Sequence, residues 1–239
     1  MLCKIYRMNY TLIILGVILI VVIYMMYNVI LGQQSRIGTN IITISTATAN
    51  PSVLLSSLAT PNSSRYNLSF WVSVESLLAE QTLFTIADPS SAKKKNLEVK
   101  LTIDATLKYT ISNDGGNDET GHVIMTNFPL QKWVYVVMSI DSDVMDMYID
   151  GKLIRSEKFA KKPDVPVKQC SITFPTPTNA TVIYIARFER NPVAMDPSTA
   201  WSKYMAGNGG NYFSSLFSSY GAAFSITKDN LEINKLSLF

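Results

Sequence analysis

KWVYVVMSIDSDVMDMYIDGKLIRS, residues 132–156, holds the runs WVYVVMSI at 133–140 and DMYI at 146–149, and it opens a third, KLIRSEKF, at 152–159. Runs of this length, rich in β-branched and aromatic residues and alternating with period two, read as strands. Asp150-Gly151 joins the last two. A two-residue Asp-Gly loop selects a type I′ turn, because both central residues must take positive φ, so a hairpin is predicted here. Outward from this stretch the same signal recurs. Upstream stand YNLSFWVSV at 66–74, TLFTIA at 82–87, LEVKLTI at 97–103 and LKYTIS at 107–112; downstream stand CSITF at 170–174 and TVIYIARF at 181–188. Polar loops lie at 90–95 and 113–121, and Pro163, Pro166, Pro175 and Pro177 punctuate a later crossover. Helical periodicity is almost absent from this part, and no internal repeat stands out. Short strands at regular spacing predict an all-β antiparallel sandwich, since each strand buries one face only by meeting a second sheet.

The N-terminal region is different. From Tyr10 to Leu31, through Leu12 and Ile20, no charged residue occurs. At about 1.5 Å per residue this is roughly 33 Å of helix, enough to span a bilayer core. The run is followed by Gly32, Gln33, Gln34 and Ser35 without a small-x-small cleavage site, so it reads as an uncleaved anchor rather than a signal peptide. Lys4 and Arg7 precede it and Arg36 follows, which places the N-terminus on the cytosolic side and the bulk of the chain on the other. The expected organisation is a short tail at 1–9, a transmembrane helix at 10–31, a stalk with an entry strand at Ile41, Ile42 and Ile44 within 32–65, and a sandwich domain at 66–239.

Composition narrows the function. The chain carries 21 basic and 18 acidic residues, a formal charge of +3. Setting aside Lys4 and Arg7 leaves a nearly neutral remainder, without the global basic excess expected of a nucleic-acid binder. Cys3 and Cys170 would stand on opposite sides of a membrane, so no disulfide framework is expected. Cys170 reads as a buried strand residue and Cys3 as an unmodified thiol near the membrane.

In the order of its elements the chain resembles the concanavalin A-like lectin/glucanase superfamily, laminin-G-like domains in particular. Residues 132–156 carry the likeness: Trp133 opens a strand, a polar turn follows at Asp141–Asp143, and a second strand ends in the Tyr-x-Asp-Gly hairpin at Tyr148–Gly151. Trp71 in the early strand and TVIYIARFERNP at 181–192 resemble further family elements. The resemblance implies a jelly-roll sandwich. AWSKYMAGNGG at 200–210 and YGAAFSITKDNLEIN at 220–234 resemble the tail of laminin-G-like virion proteins of large icosahedral DNA viruses, in which a short helix ending in Tyr-x-x-Gly closes the sandwich. That likeness implies a minor capsid protein in a virion membrane, with the lipid bilayer and other capsid or membrane proteins as partners.

Glycosidases of the superfamily carry a Glu-x-Asp-x-(x)-Glu triplet on one strand, and the sequence has none. His122 is the only histidine, and no nucleophile–base motif or histidine-rich metal motif is present. A non-enzymatic protein without a cofactor is expected. Asp114, Asn117, Asp118 and Glu119 in a Gly-rich loop are the candidate calcium ligands, against the plainer reading of an ordinary hairpin loop. Trp71 and Trp133 lie among large apolar strand residues and are expected in the core. Trp201 stands in a polar context and is the candidate for stacking on a sugar ring, the alternative function being a lectin-like attachment module. Asn62, Asn67 and Asn179 sit in Asn-x-Ser/Thr sequons; Asn62 and Asn179 are the candidate glycan acceptors, because Asn67 falls within a strand.

Overall fold

The computed structural model describes residues 14–24, 26, 41–46, 52–88, 95–113, 116–117, 121–177 and 179–208, together with the strands at 223–228 and 231–237. Two antiparallel sheets face each other. The first has six strands in the order β1 (Ile42–Ile44), β13 (Val182–Asn191), β3 (Arg65–Ser76), β9 (Trp133–Asp141), β10 (Val144–Ile149) and β11 (Lys152–Lys158). The second runs β2 (Ser52–Leu54), β12 (Ser171–Thr173), β4 (Gln81–Ala87), β5 (Lys95–Leu101), β6 (Leu107–Asn113) and β7 (Gly116–Asn117), with β8 (His122–Met125) also paired to β6. Strands β14 (Ala223–Lys228) and β15 (Leu231–Ser237) pair with each other. Residues 14–24 form helix α1, Leu55–Ser57 a 3-10 turn, and Pro197–Met205 helix α2.

Period two sets the core. Along β3, Leu68, Phe70, Val72 and Val74 point between the sheets, and along β9 Val134, Val136, Met138 and Ile140 do the same. The register matches, with Phe70 opposite Val136 and Leu68 opposite Met138. At the centre, Phe188 stacks on Phe70 at 5.3 Å and meets Phe84 and Phe174 edge-on at 4.9 and 5.3 Å. Simple alternation from Ile183 and Ile185 would turn Phe188 outward. A bulge between Ala186 and Glu189, with Arg187 at φ 49°, inserts the extra residue that brings Phe188 back inside.

The same bulge buries Arg190 completely. Its guanidinium donates to the carbonyls of Pro61 at 2.9 Å, Thr60 at 3.3 Å and Ala59 at 3.4 Å, and it lies 4.8 Å over the Tyr66 ring. Burial pushes the Tyr66 hydroxyl up to about 12, with Arg190 opposing the shift. One buried cation thereby ties the chain entering the domain to β13. The predicted hairpin forms as a two-residue turn: Asp150 and Gly151 have φ of 49° and 74°, and Ile149 pairs with Lys152.

Two expectations change, the extent of the stalk and the face on which two tryptophans pack. The region 32–65 is more than a stalk with one entry strand: β1 joins the first sheet, β2 joins the second, and Leu55 and Leu58 are buried in the core. Trp71 is buried in a core as expected, with Trp133 packed against it, but that core is not the sandwich interior. They occupy odd positions beside inward-facing even ones, so they lie on the outer face of the first sheet, where Trp71 is buried and Trp133 half-buried. Helix α1 covers part of the expected span and its apolar side chains, Ile20 among them, are exposed. Among the described residues no helix is long and apolar enough to cross a membrane. Tyr10, Leu12 and Leu31 lie outside the described residues.

Phe188→Ala should destabilise the domain by about 3–5 kcal/mol, since it deletes a ring packed on three others. Urea unfolding with an unshifted midpoint would contradict this assignment of the core.

Candidate functional site

The outer face of the first sheet carries a second apolar cluster: Trp71, Tyr135, Val137, Tyr148, Ala186, Met195 and Ala200, with Trp133 and Tyr204 packed against it. Helix α2 covers this face. Asp196 caps the helix by accepting from the Thr199 N–H at 3.0 Å and the Thr199 hydroxyl at 2.6 Å, and Pro197 follows in the first turn. These bonds hold the Asp196 carboxyl below the usual carboxylate range, so the cap contributes stability above the ordinary carboxylate pKa and loses it as pH falls through the lowered value. Ser139 and Tyr148 bond the Met195 backbone ahead of the helix. Lys203 reaches Glu189 at 2.5 Å on β13.

Aromatic rings lead from this cluster to the surface. Tyr135 lies 5.2 Å from Trp71, Trp71 stacks on Tyr204 at 5.7 Å, and Tyr204 is 5.6 Å from Trp201. Trp201 is 45% exposed, so its indole stands at the boundary between the buried cluster and solvent. The β10–β11 turn presses on the helix beside it. A Cβ on Gly151 would lie 3.0 Å from both Cα and Cε3 of Trp201, so glycine is required there for close approach as well as for positive φ. Asp150 fixes the turn from beneath: its N–H donates to the Tyr135 carbonyl at 2.8 Å, and its Oδ1 accepts from the Tyr135 N–H at 2.9 Å.

Helix, turn and strand ends enclose an open groove of about 690 Å³. Trp201 and Tyr204 form one wall, β11 with Lys152, Ile154 and Arg155 another, and β8 with Val123 and Met125 the third. Arg155 bridges the last two by donating Nη1 to the Val123 carbonyl at 2.7 Å. Its Nε pairs with Glu157 at 3.2 Å. Glu157 also accepts from the Tyr109 hydroxyl at 3.0 Å and meets His122 Nδ1 at 2.7 Å, and His122 stacks on Tyr109 at 5.0 Å. The edges of the two sheets are thus fastened together at the groove by a charge-assisted network.

Of the residues singled out from sequence, Trp201 lies in this groove. Tyr204, Ile154, Lys152 and Arg155 were missed. Only Tyr204 carried a local signal, three residues beyond Trp201 and so on the same helix face. Asn117 pairs with Ser112 in β7; the other candidate calcium ligands, Asp114, Asp118 and Glu119, lie outside the described residues. Among the described residues no three His, Cys, Asp or Glu side chains gather as a metal site. Asn62 is exposed in a turn. Asn179 is half-buried, and its Oδ1 accepts from the N–H and hydroxyl of Thr181 at 3.0 and 2.5 Å. Asn67 is buried, donating to the Val193 carbonyl at 2.8 Å and accepting from Asn191 at 3.3 Å, which closes its sequon to modification in the folded domain.

Residues 47–171 match a laminin-G family model described as the concanavalin A-like lectin/glucanases superfamily. No curated protein matches the chain. Among solved structures, the binding domain of botulinum neurotoxin serotype D is similar over 70% of this chain and 43% of its own, with 13% identity and a TM-score of 0.55. That of serotype G is similar over 70% and 45%, with 14% identity and a TM-score of 0.50. At such identity the likeness is one of fold, and this chain spans less than half the length of either structure.

Gly151→Ala should cost more than about 1 kcal/mol, because it adds a clash with Trp201 to a left-handed backbone. The tryptophan emission should shift as the helix moves off the turn; unchanged emission and stability would refute the close contact.

Proposed function

This chain belongs to the concanavalin A-like lectin/glucanases superfamily, and from that premise we propose that it is a non-catalytic recognition module, tethered to a bilayer by residues 10–31, whose ligand is a glycan held in the groove beside Trp201. The observation that carries this reading is the placement of Trp201: a half-exposed indole, held from behind by Tyr204 and Gly151, forms one wall of an open groove whose other walls supply polar groups. A rigid aromatic face of this kind packs on the apolar face of a pyranose ring, while Thr126, Lys152 and Arg155 offer hydrogen bonds to its hydroxyls. Among the described residues the groove lining includes one carboxylate, Asp150, and its Oδ1 is already engaged by the Tyr135 N–H. Glycoside hydrolysis calls for two facing carboxylates, so binding without turnover is the better-supported chemistry. The neurotoxin structures that share the fold are themselves described as binding domains.

The tether rests on the 22-residue uncharged run and on the exposed apolar face of α1 within it. A structural role, in which a minor capsid protein links a virion membrane to its shell, draws support from that tether and from the tail resemblance at 200–234. The groove favours recognition over it, since lattice contacts alone require no solvent-exposed indole in a built concavity.

A glycan array probed with the purified chain, with and without calcium, tests the proposal. Saturable binding to one sugar class is expected. Trp201→Ala should weaken it about tenfold or more, roughly 1.4 kcal/mol, at unchanged thermal stability. Calcium dependence would implicate the 113–121 loop, and absence of binding to any sugar would leave the membrane-to-shell role standing instead.

A further inference from the structure

Three connections meet at one end of the sandwich. Residues 77–80 link β3 to β4, 102–106 link β5 to β6, and 126–132 link β8 to β9. The register brings them together: Gln81 at the start of β4 lies opposite Leu101 at the end of β5, and Trp133 at the start of β9 lies opposite Ser73 near the end of β3. Bonds then fasten them. The Phe128 N–H donates to the Ala105 carbonyl at 2.6 Å, the Gln131 N–H donates to the Val74 carbonyl at 2.8 Å, and Lys100 reaches Glu80 at 3.2 Å. Each connection carries one apolar residue turned in and another turned out. Leu77, Ala105 and Phe128 pack in or against the core, whereas Leu78, Ile103 and Leu130 are 59%, 68% and 46% exposed.

The outward residues are held in place. Ala105, Asn127 and Gln131 have φ of 55°, 53° and 57°, a left-handed region that suits Asn but strains Ala and Gln, so these loops keep a costly backbone that the burial of Phe128 and the bonds above sustain. Asp104, next to Ile103, is folded onto its own loop by accepting from the hydroxyls of Thr102 and Thr106. The acidic groups nearby are likewise engaged, Glu80 by Lys100 and Glu75 by the Tyr184 hydroxyl. Aliphatic tips fixed in water carry the hydrophobic cost of exposure and lose little conformational freedom when something covers them.

Shape and reach decide what covers them. Three separate tips offer far less than the roughly 800 Å² per partner that a stable protein interface buries. The interfacial zone of a bilayer, by contrast, takes up protruding apolar side chains singly. A bilayer is also within reach of this end. Ile42 of β1 lies opposite Ile185, three residues from the start of β13 and six from its end, and the start of β13 lies opposite Ser76 at the end that bears the tips. The chain thus enters the sheet nearer this end than the other, and residues 32–41 span at most about 33 Å. Lys132, exposed two positions from Leu130, is placed to meet lipid phosphate. We propose that Leu78, Ile103 and Leu130 insert into the bilayer that holds residues 10–31, so that the sandwich rests on the membrane at a second point. The inference goes beyond the groove reading and rests on the tether. The groove, whose lining includes Thr126 at the start of one of these loops, would then sit close to the lipid surface.

The test uses the full chain reconstituted in phosphatidylcholine vesicles, with or without bromine near the top of the acyl chains. Side chains seated about 5–10 Å into the headgroup and acyl boundary meet that bromine, so Ile103→Trp and Leu130→Trp should each add emission that falls about twofold or more in brominated vesicles. Val193→Trp, at an exposed position beside Asn67 at the opposite end, should add emission that does not fall. Leu78→Ser with Leu130→Ser, both at exposed positions, should relieve the quenching of the Ile103→Trp variant at unchanged thermal stability. Emission unquenched at positions 103 and 130, or quenched equally at 193, would overturn the proposal. So would shielding of the Ile103→Trp variant from aqueous acrylamide without bromine quenching, which reports a second copy or another protein on the tips. Alkaline carbonate separates the two readings. A chain that resists extraction while its tips stay unquenched keeps the tether and overturns the tips; a chain that carbonate extracts, yet whose tips are quenched at neutral pH, overturns the tether and sustains the tips as the membrane contact.

Discussion

A strand has two faces; β9 is largely apolar on both, and β3 adds Trp71 to an otherwise polar outer face. Their even positions fill the sandwich, while Trp71, Tyr135 and Val137 at odd positions would confront water if the outer face were left open. Covering that face is the constraint on which the candidate site depends. Helix α2 meets it by burying Ala200 against the sheet and laying Tyr204 on Trp71. Once the helix is down, Trp201 is left at its margin with one side packed and the other in solvent. The groove is a by-product of that packing, and its rigidity is inherited from the sheet beneath.

Two small features set its shape. The type I′ turn at Asp150-Gly151 brings backbone against α2 at a distance no side chain would allow, and Asp150 bonds back to Tyr135 so that the turn cannot lift. On the far wall, Arg155 holds the Val123 carbonyl while Glu157 gathers His122, Tyr109 and Arg155. Such a network, partly screened from solvent, positions its members more firmly than isolated surface pairs do. It joins the open edges of the two sheets at the place where a ligand would lie.

The opposite edge is fixed by other means. Arg190, fully buried, has its charge met by backbone carbonyls of residues 59–61 and by the face of Tyr66. Cutting that tie would strand a cation in the interior, which is strongly unfavourable. The chain enters the first sheet at one edge and the groove lies at the other, so the sandwich has a direction across its strands.

Much of this was legible in the sequence. Local chemistry determined the strands, the Asp-Gly hairpin and the sandwich class, because period-two alternation and turn residues act over a few neighbouring positions. The exposed role of Trp201 was also legible, since polar neighbours distinguished it from Trp71 and Trp133. Sequence reading placed those two in a core without saying which, because apolar neighbours do not say which of two buried faces a residue occupies; only the helix packed on the outer face decided that. The inward turn of Phe188 depended on a bulge, and a single inserted residue leaves no compositional trace. The walls supplied by β8 and β11 come from positions some thirty residues apart, and Trp201 from still further along the chain. Their convergence is set by which strands end each sheet, a property of the assembled topology that no local pattern carries.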